Sequence, residues 1–145
     1  MANLYKLLEK IRELDNCELS NPILDTEIDY TLPSAYLDIL RLFNGGEIFL
    51  PGTVIYGIGN DSKFPFFKSA NYGDIHKARS IPNSLLIIGQ VNYGDLICIE
   101  KDVPNKIFLW DINEHTISYQ WTDFSQLLEE EIEDYLLYLE DTKNE

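Results

Sequence analysis

The stretch Leu85-Leu86-Ile87-Ile88-Gly89-Gln90-Val91, Asn92-Tyr93-Gly94-Asp95, Leu96-Ile97-Cys98-Ile99-Glu100-Lys101 decides the fold class. Two β-branched, apolar runs flank a short polar segment with a glycine, which is the pattern of a β-hairpin. Working outward, Lys106 to Ile112 is a third strand after a turn at Pro104-Asn105. Thr116 to Gln120 is a fourth, after Asn113-Glu114-His115. Consecutive strands joined by loops this short must run antiparallel, because a parallel pair needs a long crossover. Upstream, Glu47 to Leu50 and Thr53 to Ile58 form two further short strands, joined at Pro51-Gly52, a type II turn pair.

The flanks change period. From Asn3 to Asp15, Leu4, Leu7, Leu8, Ile11 and Leu14 make one helical stripe, with Asn3 placed to cap it. A loop with Asn21-Pro22 follows. A second helix opens at Leu32-Pro33-Ser34, where Pro33 costs no hydrogen bond in a first turn. Tyr36, Ile39, Leu40 and Phe43 line its inner face, and Asn44-Gly45-Gly46 stops it, since glycine takes the left-handed conformation that closes a helix. Residues 60–84 read as a packed loop around Phe64, Pro65, Phe66 and Phe67, with one or two helical turns between Asp74 and Arg79. Thr122 caps a long last helix, Asp123 to Asp141. The expectation is a single α+β domain over residues 1–145: an antiparallel sheet of about five to six strands, helices on one side of it, and an acidic tail at 142–145.

Eleven Lys and Arg face 25 Asp and Glu, a formal net charge of −14. A general nucleic-acid binder needs basic surface to neutralise phosphates, and an anionic membrane repels this balance. Cys17 and Cys98 lie far apart in no spaced motif, as free thiols of a reducing compartment do. The N-terminal residues lack the basic and apolar regions of a secretory signal, and nothing reaches the length of a membrane span. A cytoplasmic protein is expected.

Catalytic chemistry leaves no mark on the chain. His76 and His115 have no metal-ligand partners at the usual spacings. Cys98 alternates with Leu96 and Glu100 on a strand, the setting of a buried, inert thiol. Gly57-Ile58-Gly59 lacks the third glycine and following helix of a phosphate loop and fits a strand end better. No catalytic residue, metal site or cofactor is expected, and the chain reads as a non-enzyme. A pocket lined by Tyr56, Phe66 and Tyr93 is the alternative that would serve a small ligand.

Charge is concentrated at the end. Residues 123–145 carry nine acids and one base, −8 against −6 for everything before them. On a helix of 3.6 residues per turn, Phe124, Leu128, Ile132, Tyr135 and Leu139 share one face. Gln126, Glu129, Glu130, Glu133, Asp134, Glu140 and Asp141 take the opposite face, with Leu137 pointing outward among them. A solvated helix face is the plain reading. Yet Glu140 and Asp141 stand at the negative end of the helix dipole, and almost no lysine lies four residues on to offset repulsion. Glu129, Glu130, Glu133 and Asp134, with Leu137 as an apolar anchor, are therefore the candidate partner-binding residues.

Taken in order, Leu32-Pro33-Ser34-Ala35-Tyr36, Leu42-Phe43-Asn44-Gly45-Gly46, Ile55-Tyr56-Gly57, Leu86-Ile87-Ile88-Gly89, Ile107-Phe108-Leu109-Trp110 and Thr122-Asp123-Phe124-Ser125-Gln126-Leu127-Leu128 resemble the SUKH superfamily, covering about residues 30–140. This family comprises bacterial toxin-immunity proteins and also includes fungal cell-wall assembly regulators. The chain departs from its pattern in Asp123-Phe124, where a Ser-Phe pair is usual, and in a missing tryptophan near residues 72–80, where Tyr72 is the only aromatic. The resemblance implies an α+β domain without a shared catalytic site, in which Pro33 starts a helix, Gly45 and Gly46 end one, and Trp110 and Phe124 fill the core. It implies an immunity protein that neutralises a protein toxin, often a nuclease, and the net charge of −14 makes a toxin with a basic surface the expected partner. The alternative in another class is a cytosolic scaffold or regulatory module. None of the matched motif residues is a binding residue, so the resemblance assigns no site.

Overall fold

A computed structural model describes residues 3–102 and 106–143. Its strands are β1 (Cys17–Leu19), β2 (Gly46–Ile48), β3 (Thr53–Ile55), β4 (Leu85–Gln90), β5 (Leu96–Glu100), β6 (Ile107–Asp111) and β7 (Thr116–Trp121). Each pairs antiparallel with the next in sequence, giving one sheet in the order β1 to β7. The helices are α1 (Leu4–Glu13), α2 (Ser34–Leu40), α3 (Phe67–Tyr72), α4 (Ile75–Ala78) and α5 (Phe124–Lys143). The α+β class is as expected, and the sheet has one strand more than the upper estimate. That strand is β1, whose three residues are too few to show a period and which the sequence places in a loop.

Local differences have local causes. Pro33 precedes α2 as its N-cap rather than standing inside the first turn. α2 stops at Leu40, and Gly45, at φ 86°, turns the chain into β2 several residues later. Between β2 and β3 the left-handed residue is Phe49 (φ 56°), not Gly52, so the connection is not the type II turn expected; the Leu50–Pro51 peptide is cis. The Pro104-Asn105 turn lies outside the described residues, as do residues 144 and 145 of the expected tail, while α5 continues through Thr142 and Lys143.

The segment 60–84 is what the sequence resolves least, and it covers β4 where that strand is apolar at four successive positions, Leu85 to Ile88. β3 pairs with Gln90 and Gly89 of β4, and Tyr56 N just after it donates to Ile88 O at 2.8 Å, so that β3 does not reach Ile87 or Leu85. Asn71 of α3 fills the gap. Its side-chain amide donates to Ile87 O and accepts from Ile87 N, both at 2.7 Å, as a neighbouring strand would. His76 of α4 bonds Leu85 O at 2.8 Å through Nε2. Leu85 to Ile88 are all buried, as are Leu96 to Ile99 and Ile107 to Trp110. Strands buried at successive residues are covered on both faces, since adjacent side chains leave opposite sides. Trp110 Nε1 donates to Arg79 O at 3.0 Å on one face, whereas its neighbour Leu109 lines, on the other, a cleft that α5 also lines. The helices therefore do not sit on one side only.

Trp110 and Phe124 are both in the core. Asn44 is buried there too and locks the chain after β3, its amide donating to Ile58 O at 2.6 Å and accepting from Ile58 N at 2.9 Å. Gly57 is the residue that allows this approach: a Cβ there would stand 2.2 Å from Asn44 O.

Candidate functional site

α5 is held in place at its start and along its first three turns. At its start Asp123, not Thr122, supplies the cap: Gln126 N donates to Asp123 Oδ1 at 2.9 Å, and Gln126 Oε1 accepts from Thr122 N at 2.6 Å. The departure from a Ser-Phe pair thus keeps the capping function, because an aspartate accepts the same bond. Phe124, Leu128 and Ile132 are buried, Tyr135 and Leu139 half-buried, and Leu127 is buried beside them. α1 packs against α5, and Tyr135 stacks on Phe49 with ring centroids 4.3 Å apart.

Along its other flank α5 presents what the periodicity indicates. Glu129, Glu133 and Asp134 are exposed, Glu130 is half-buried, and Leu137 is 59% exposed. Among the described residues the ion pairs are Arg41–Asp38 and Lys63–Glu18, and neither involves α5. Tyr119 of β7 donates its phenol to Glu130 Oε1, while Glu130 Oε2 is shut off from solvent with no hydrogen-bond partner among the described residues.

Between α5 and the sheet lie two adjoining clefts that sequence reasoning missed. The larger, about 460 Å³, has Phe49, Pro51, Tyr93, Trp121, Tyr135 and Tyr138 in its walls. The smaller, about 260 Å³, is lined by Tyr119, Trp121, Glu130, Glu131, Glu133 and Asp134. Trp121, Glu131 and Asp134 belong to both, so the two form one trough with an aromatic side and an acidic side. Of the five candidate residues, Glu130, Glu133 and Asp134 line it, whereas Glu129 and Leu137 lie outside its lining. No periodicity reveals the trough, because Phe49, Tyr93, Tyr119 and Trp121 reach the aromatic residues of α5 from turns and strands distant in sequence.

The electrostatics of the trough follow from its acids. Burial first, and then the neighbouring Asp134 and Glu130, raise the Glu131 carboxyl above its ordinary value, against a hydrogen bond from Thr53 that lowers it. Across the trough the Tyr93 phenol is raised as well, by burial and then by Asp95, Asp111 and Glu131. Accepting carboxylates and aromatic rings, with no lysine or arginine among the described lining residues, suit a cationic side chain better than any anion.

The remaining candidates fall elsewhere. Tyr93 lines the larger cleft, but Tyr56 and Phe66 do not; they meet edge to face at 5.7 Å, and Tyr56 is buried, so the three do not share that cleft. Cys98 is fully buried, and burial pushes its thiol up to about 12. His115 stands in a turn at φ 57°, where the Asp111 carboxylate accepts from Asn113 N and Glu114 N. Among the described residues no three His, Cys, Asp or Glu gather in a way that could hold a metal ion, and no helix is long and apolar enough to cross a membrane.

The family model of the SMI1 / KNR4 family (SUKH-1) matches residues 24–130. The chain belongs to this family. Every motif quoted for the resemblance falls inside the matched stretch, which takes in α2 and all strands from β2 to β7. SUKH domains are generally non-catalytic immunity or regulatory modules, and proteins of the family interact with protein partners. The match to SUKH-1 ends at Glu130, so the greater part of α5 lies beyond what the family model recognises. Among curated proteins, none matches the chain.

Proposed function

We propose that this SUKH domain is an immunity protein that binds and neutralises a cognate bacterial protein toxin, with the acidic flank of α5 and the adjoining trough as its partner surface. One observation carries the reading: Glu129, Glu133 and Asp134 are exposed on a helix whose carboxylates meet no lysine or arginine of the chain among the described residues. Acids left unpaired cost stability through mutual repulsion, and a basic partner removes that cost on binding. Nucleases grip phosphates with basic surface, which makes them the favoured class of toxin. Complementary potential lifts association from a neutral range of about 10⁵–10⁶ M⁻¹s⁻¹ towards about 10⁸–10⁹ M⁻¹s⁻¹ at low salt. Fast capture serves a protein that must intercept a toxin before it acts.

The deciding experiment is co-expression with the product of the adjacent gene in a sensitive host. Protection by this chain supports the reading. Growth arrest that the chain does not relieve, or a neighbouring product that is harmless alone while a pull-down from the native host returns constitutive cellular partners, favours the regulatory module instead.

A further inference from the structure

The sheet has two open ends of unequal kind. β1 ends it with three residues, β7 with six. Thr116 to Gln120 are all exposed, with Ile117 at 47% and Tyr119 at 44%; only Trp121 is buried. Among the described residues the backbone hydrogen bonds of β7 run to β6 alone, so its outer row of N–H and C=O groups is unpaired. Soluble proteins commonly blunt such an edge with proline, lysine or shortness. Thr116-Ile117-Ser118-Tyr119-Gln120-Trp121 has none of these, its one irregularity being a bulge at Ser118, between the Leu109–Tyr119 and Trp110–Ile117 pairs. The edge also borders the acidic trough. Tyr119 reaches Glu130 through its phenol, and Tyr119 and Trp121 wall the smaller cleft opposite Glu133 and Asp134.

We propose that β7 is a docking edge on which an extended segment of a basic partner protein adds as an eighth strand. Lysines or arginines at its alternate positions reach Glu130, Glu133 and Asp134. An added strand lies about 4.8 Å beyond β7, and every second side chain leaves it on the α5 side. Those side chains enter the cleft, where carboxylates accept their hydrogen bonds and the paired rings of Tyr119 and Trp121, 5.1 Å apart, offer cation–π contact. A second copy of the chain is the poorer occupant. Pairing β7 with β7 would join two chains of −14 each and place two copies of this acidic cleft beside one seam. This inference rests on the proposed reading of α5 as the surface for a basic partner, and adds to it the way the backbone is engaged.

The test uses the full chain, isotope-labelled, titrated to millimolar concentration at low salt with a short capped peptide that alternates valine and arginine. Expected are a slowing of amide exchange at residues 116–121 by about tenfold or more in the complex, and loss of binding when glutamate replaces arginine. Methylating alternate peptide nitrogens, which blocks one pairing edge without changing charge, should weaken binding about tenfold. The double variant Glu133→Lys, Asp134→Lys should weaken it about as much, with amide exchange of the free protein unchanged as the check on folding. Binding that shifts α5 resonances, leaves β7 exchange untouched and tolerates the methylated peptide overturns the strand addition while preserving the acidic-surface reading. A failure to bind overturns both. Protection of β7 in the free protein, together with a dimer by sedimentation, replaces the basic segment with a second copy and overturns the proposal.

Discussion

Thr53 of β3 donates its hydroxyl to Glu131 Oε1 of α5 at 2.6 Å, joining the sheet to the last helix across the floor of the larger cleft. The bond ties the trough's acidic side to its rigid scaffold, and it does so through a carboxyl that burial, Asp134 and Glu130 all push towards its neutral form. A carboxyl raised on folding binds more protons in the native than in the unfolded state. Its ionisation therefore costs stability as pH rises from the unfolded value through the folded one, and the cost stays constant above that. Glu131→Gln keeps an acceptor for Thr53 and removes the charge. It should raise Tm by about 1–4 °C at pH 7 and change it little near pH 3, where the carboxyl is neutral in both states. Thermal scans at the two pH values check this, and an equal gain at both would show that ionisation is not the cause.

Asn44→Ala should be among the most damaging single changes outside the apolar core. Asn44 is 2% exposed and satisfies both backbone groups of Ile58. Truncation leaves a buried N–H and a buried C=O unpaired, costing about 2–4 kcal/mol. Urea unfolding should show a lower midpoint with an unchanged slope.

The two thiols should separate cleanly. Cys98 is fully buried with its thiol pushed up to about 12, whereas Cys17 is half-buried and raised less, chiefly by burial. An aromatic disulfide reagent at pH 8 should titrate Cys17 alone in the native chain and Cys98 only after unfolding, because the thiolate is the reacting species. Rapid reaction of both without denaturant would contradict the packing around β5.

Legibility followed the range of the interaction that fixes each element. α1 and α5 are periodic over many residues, and β4 and β5 are apolar runs around a glycine turn, so their own sequences specify them. β1 has three residues and exists because β2 offers Ile48, Glu47 and Gly46 as partners. α3 carries no long stripe; Asn71 is there to finish the edge of β4, a task invisible until β3 is known to stop at Ile55. The candidate site divides the same way. Glu130, Glu133 and Asp134 follow from the helix period, while Tyr119, Trp121, Tyr93 and Glu131 become its neighbours only through the sheet's closure against α5. Glu131 in particular belongs to neither the apolar stripe nor the acidic face that the helix period marks out, and only its hydrogen bond from Thr53 shows that it turns towards the sheet.

Reversing Glu129, Glu133 and Asp134 together to lysine tests the partner surface with the least disturbance of the fold. None of the three has an ion pair among the described residues, and all are exposed, so removing them relieves repulsion rather than breaking a contact. With a captured basic partner, stopped-flow mixing at low salt should show association slowed about 10–100-fold and dissociation little changed, since long-range attraction acts on encounter. The two proteins should converge as salt rises and the screening length shortens to a few ångströms. Leu137→Ala makes the complementary case. An exposed apolar anchor acts after encounter, so its loss should speed dissociation several-fold and leave association alone. Association rates that match the parent's across the whole salt series would remove the electrostatic basis of the partner surface, whatever Leu137 does.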